Sequence, residues 1–129
     1  MTDDPLEALL LDADEVDRAR LASALAGVLG LDTKTGRVVL KPGFAHLDVR
    51  RKILAFLLGQ KVAVLLGKAD NEQVAPKDLI GSTGMPSGSV HPALKDLREK
   101  RVVSVTNSGA YYVAAHQVDV CLALVEGGG

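Results

Sequence analysis

Tryptophan is absent from this 129-residue chain, cysteine occurs once, and the aromatic residues are two Phe and two Tyr. Each scarcity removes a class of function. A groove for single-stranded nucleic acid stacks successive bases on aromatic rings, and Phe44, Phe56, Tyr111 and Tyr112 are too few and too scattered to build one. A lone Cys121 forms neither an intrachain disulfide nor a multi-cysteine metal site, and its apolar neighbours Val120 and Leu122 suit an inert core thiol. The most apolar stretch, residues 53–66, is shorter than a membrane span and is interrupted by Gly59-Gln60-Lys61, so it reads as a buried helix. Gly-rich phosphate loops, nucleophile elbows and zinc-ligand spacings are missing. His46 and Asp48 lie two apart with no third partner, a weak metal or acid–base signal, and His116 reads as a surface or packing residue. The expectation is a cytoplasmic non-enzyme with no cofactor, no metal and no membrane association.

Net charge is also lacking, at −1 overall, but its distribution is uneven. Residues 1–17 hold seven acids and no base, the opposite of a secretory leader's basic start. Removing those seven from the 16 acids leaves nine against all 15 Lys and Arg, so residues 18–129 carry +6. A basic body with an acidic arm fits a phosphate-facing surface, and equally fits a solvated surface with a loose acidic tail.

Along the chain, Asp4-Pro5 predicts an N-cap and a first helical position, opening a short turn through Leu11. Asp12 and Glu15 have the spacing of a capping box. A helix is expected over residues 16–29 with Leu21, Leu25, Val28 and Leu29 on one face, ended by Gly30. Residues 37–41 predict a short strand closed by Pro42-Gly43. A long helix over residues 47–67 carries Asp48, Arg50, Arg51 and Lys52 in its first turn and a half, is apolar nearly all round after that, and must be covered, either by the N-terminal helix or by a second copy of the chain. Then follow an extended pair at Val74-Ala75, a brief helix from Pro76 broken at residues 81–84, a helix over residues 87–100, strands over 102–106 and 111–115, and a last helix over 118–125. Asn107-Ser108-Gly109 predicts the hairpin turn, and Gly127-Gly128-Gly129 a loose tail.

That order is the order of a winged helix-turn-helix in an α+β fold. The expected organisation is an N-terminal acidic arm, helix and strand (1–43), the winged domain (44–116), and a C-terminal helix with its tail (117–129). Val90, Leu94 and Leu97 fall on one helical face and point to the core. Gly88, His91, Pro92 and Lys95 then point outward near the N-terminal end, where a recognition helix meets base edges. Ser87 and Ser89 are expected as caps, phosphate contacts or both, and Lys95 as a phosphate or guanine contact or a solvated lysine. His91 is placed to contact a base or a phosphate, or is simply a surface histidine. Lys77 and Thr83 sit where the preceding helix and turn meet the backbone. Arg50, Arg51 and Lys52 either grip phosphates or form an ordinary charged helix start. Asn107 and Ser108 at the hairpin tip are placed to enter a minor groove, although the tip carries no positive charge and so contributes little.

The run Ser87-Gly88-Ser89-Val90-His91-Pro92-Ala93-Leu94-Lys95-Asp96-Leu97-Arg98-Glu99 resembles the recognition helix of PadR-type regulators, and Tyr111-Tyr112-Val113 resembles the wing that follows it. His91 stands where that family has tyrosine. The resemblance covers residues 74–115 and implies double-stranded DNA binding as a homodimer, with repression; it names no effector ligand. The other expectation is a winged-helix interaction module without DNA contact, favoured by the near-neutral charge, by Asp96 and Glu99 on the same helix, and by the uncharged hairpin tip.

Overall fold

A computed structural model describes residues 5–9 and 16–127. Asp4, the Asp12/Glu15 capping box and the Gly128-Gly129 end lie outside the described residues. Pro5–Leu9 forms a short 3-10 helix. The main body is mixed helix with two small antiparallel sheets: α1 (Arg18–Leu25), β1 (Leu29–Leu31), β2 (Val38–Leu40), α2 (Pro42–Ala45), α3 (Val49–Leu65), α4 (Pro76–Thr83), α5 (Ser87–Glu99), β3 (Ser104–Val105), β4 (Tyr111–Tyr112) and α6 (Val118–Val125). Among the described residues no helix is long and apolar enough to cross a membrane.

The core centres on α3. Asp48 caps its start by accepting the Arg51 amide at 2.9 Å, which satisfies one of the donors a helix leaves over. Every residue from Ile53 to Gly59 is buried. The cover comes from within the chain: α5 and α6 pack along α3, and α1, β1 and β2 close the remaining side. Gly59 is what lets β1 and β2 approach, since a Cβ there would press on Leu29 and Val38 at 3.0–3.3 Å. Leu21, Leu25, Leu29, Leu54, Leu58, Leu94, Leu97, Cys121 and Leu122 all belong to one continuous core. N-terminal, central and C-terminal segments therefore share a single interior.

The first helix departs from expectation. It stops at Leu25, and Leu29 and Gly30 belong to β1, which pairs with β2 in the register Leu29↔Leu40 and Leu31↔Val38. Apolar residues at 28, 29 and 31 suit either a helical face or a short strand, and the pairing with residues 38–40 decides for the strand. α4 runs on through Thr83, because Gly84 takes the left-handed conformation (φ 74°) and caps it from beyond. The hairpin strands are two residues each, shorter than the expected runs. Val102, Val103 and Val113 leave the ladder and enter the core.

Candidate nucleic-acid interface

α4, the tight turn at Gly84 and α5 form one unit held from the inside. Leu79 from α4, Met85 from the turn, and Val90, Ala93, Leu94 and Leu97 from α5 are buried. Helical spacing puts these α5 residues on one stripe, and the opposite stripe is outside. Ser87, Gly88, His91, Pro92 and Lys95 are all exposed, and Ser89 is half-buried. The expected outward set is thus brought together along the first nine residues of one helix.

The N-terminus of α5 differs from expectation in its cap. Pro86 holds the N-cap position and no side chain caps the helix, so neither Ser87 nor Ser89 does. The Ser89 and Val90 amides reach the Pro86 carbonyl at 3.0 and 3.1 Å. The amides of Ser87 and Gly88 have no acceptor among the described residues. Two orphan donors at the positive end of a helix macrodipole form an anion-attracting terminus. Pro92 lies one and a half turns inside and lacks the amide that would donate to the Gly88 carbonyl.

Other expected contacts fall into place less simply. Lys77, in the first turn of α4, is exposed. The Thr83 hydroxyl is already engaged: it donates to the Leu79 carbonyl at 2.6 Å and accepts the Met85 amide at 3.3 Å, which stitches the turn. Arg50 lies next to α5 and its Nε donates to Asp96 at 2.9 Å; Lys100 approaches the same carboxylate at 3.2 Å. Asp96 is therefore neutralised rather than facing outward as a bare charge, and its two cations, Arg50 foremost, hold its carboxyl below the usual range. Arg51 stands 3.9 Å from Asp48 on its own helix. Lys52 lies 5.9 Å from the centre of the Phe44 ring, a cation–π contact. The basic cluster at the start of α3 is largely committed to neighbours within the chain.

Behind α5, β3 and β4 pair through Ser104↔Tyr112 and Val105↔Tyr111, and Val74 bridges to Tyr111 on the other side with amide–carbonyl distances of 2.8 Å both ways. Three short extended segments thus lie side by side in the order β3, β4, Val74. Asn107 is exposed at the tip, while the Ser108 hydroxyl bonds Thr106 at 2.8 Å. Gly109, at φ 87°, closes the turn onto the Thr106 carbonyl.

One residue that carries this geometry gave no sequence signal. Gln117 is buried at 5% exposure, and its Oε1 accepts from Ser104 Oγ (2.8 Å) and the Ala114 amide (3.0 Å). Its Nε2 donates to the Arg101 carbonyl at 3.0 Å. A single amide side chain therefore ties the chain just after α5 to β3 and to the segment just beyond β4. Cys121 beside it donates its S–H to the Val102 carbonyl at 3.2 Å, and burial pushes the thiol up to about 12. His46 and His116 are exposed, and among the described residues no group of His, Cys, Asp and Glu is placed to hold a metal ion. Set against known protein families, characterised proteins and solved structures, the chain finds no match.

Proposed function

We propose that this chain is a winged helix-turn-helix protein of the cytoplasm that binds double-stranded DNA as a homodimer and represses transcription. The observation that carries the reading is the split surface of α5: Val90, Leu94 and Leu97 are buried while Ser87, Gly88, His91 and Lys95 are exposed on one side. A helix presented this way fits the major groove, with its N-terminal half toward the bases. The uncapped Ser87 and Gly88 amides donate to a phosphate oxygen as the helix enters, Lys95 adds a charge about two turns further in, and Lys77 on α4 meets the backbone. Two copies related by a two-fold axis would place two α5 helices in successive major grooves roughly 34 Å apart.

Titration of the chain with a random-sequence duplex at rising salt tests this. Affinity that falls steeply on a log–log plot is expected, because phosphate contacts release counterions. No binding at any salt favours the second reading, an interaction module without DNA contact. Two observations support that alternative: Arg50 is held by Asp96, and the exposed tip residues Asn107 and Ser108 bear no charge.

A further inference from the structure

A different surface has the character of a small-molecule site. α1, β1 and the C-terminal end of α3 enclose a groove of about 500 Å3 to which α4 and α5 contribute nothing. Sites for small ligands span roughly 300–1,000 Å3 and are mostly apolar. Leu21, Leu25, Leu29, Leu31, Val62 and Leu65 form its walls, and among the described residues Arg18 is the one ionisable residue that lines it. The Arg18 guanidinium spans the mouth at one end, where Nη2 donates to the Leu65 carbonyl at 3.3 Å. That uses one of its five N–H donors. Outside the lining, Lys41 lies near Ala26 and Gly30 at the other end of α1. Its ammonium donates to the Ala26 carbonyl at 2.8 Å, and its Cε lies 3.4 Å from where a Cβ on Gly30 would stand.

Polarity selects the occupant. An extended peptide fits, but its amides would meet leucine walls and lose their hydrogen bonds. A hydrocarbon chain fits and has no such amides. Among the described residues the lining holds one guanidinium and no carboxylate, which matches one anionic head group.

We propose that this groove binds an amphipathic monocarboxylate, its acyl or aryl-alkyl chain lying between α1 and α3 and its carboxylate on Arg18. The fork of the guanidinium suits a carboxylate in bidentate contact. The site stands independently of the DNA reading, since none of its residues belongs to α4 or α5. The test titrates sodium decanoate into the full chain and follows the backbone amide resonances. Saturable shifts confined to residues 18–31 and 62–66 are expected. Arg18→Gln lowers the affinity for decanoate about tenfold, the loss of a charge-assisted pair, and leaves decanol binding within about twofold. Ala22→Trp, which fills the groove from an exposed position, abolishes binding of both. The proposal is overturned by the absence of saturable shifts or by shifts elsewhere. It is equally overturned if Arg18→Gln leaves decanoate binding unchanged or weakens both ligands alike. A dimer that Ala22→Trp dissociates would overturn it as well, because a second copy would then occupy the groove. Arg18→Gln is a surface change that preserves the fold and settles the matter if Ala22→Trp does not fold.

Discussion

Replacing Gln117 with alanine would remove the one side chain that bridges the chain just after α5 and the hairpin. Three polar groups lose their partner: the Ala114 amide, the Arg101 carbonyl and the Ser104 hydroxyl. Ser104 is half-buried and its hydroxyl turns to water at little cost. The other two are backbone groups fixed in place, each worth about 1–3 kcal/mol when left unsatisfied. A total near 3 kcal/mol follows, and for a chain of this length it corresponds to a fall in Tm of about 10–15 °C. Thermal melts followed by circular dichroism measure it. Gln117→Glu separates hydrogen bonding from packing, because it keeps the acceptor and loses the donor aimed at Arg101. In the folded state that carboxylate faces a carbonyl, which raises its pKa. The variant is therefore most stable below the ordinary glutamate value of about 4.3 and loses stability as pH rises through that region. A Tm drop below about 3 °C for Gln117→Ala, or a Gln117→Glu protein as stable as wild type at pH 7, would refute the bridging role.

Further outcomes follow from other contacts. Cys121, with its thiol pushed up to about 12, stays protonated and buried, so a disulfide reagent at pH 8 labels it only on unfolding. Its folded pKa lies above the unfolded one, so its linkage makes stability fall as pH rises above about 9, measurable in urea titrations. Glu72→Gln leaves the Lys61 ammonium, 8% exposed and 3.1 Å from that carboxylate, without its counter-charge; about 2 kcal/mol of stability should be lost, between the fully buried and the surface cases. Lys61→Met in the same urea assay should cost far less, as the methionine packs where the lysine stem lies. Asp96→Asn frees Arg50 and Lys100 from their carboxylate; duplex affinity should rise and the salt dependence steepen by one to two phosphate equivalents.

Much of the architecture was legible because local chemistry and packing agree. Pro76 is expected to open a helix and opens α4; Val90, Leu94 and Leu97 have the helical spacing of a buried stripe and are buried. Legibility failed where long-range partners decide. Residues 28–31 became a strand only because residues 38–40 come alongside. Ser87 and Ser89 have cap chemistry, yet the chain turns at Pro86 and places them inside the helix. The basic residues at the start of α3 stand out in sequence, but only the fold brings Asp96 to Arg50 across 46 positions. Gln117 is an ordinary polar residue in sequence, and its importance arises from three partners drawn from separate segments. Likewise no periodicity marks the groove beside α1, since a concavity is made by elements that stop short of one another.

The face of α5 is the heart of the functional reading, and mapping backbone amide resonances during titration with a DNA duplex probes it most directly. The account predicts that the largest shifts fall at Ser87, Gly88, His91 and Lys95, with smaller ones at Lys77, and that they fade as salt rises. Saturable binding that leaves residues 87–95 unmoved, or no shift anywhere at low salt, would contradict it.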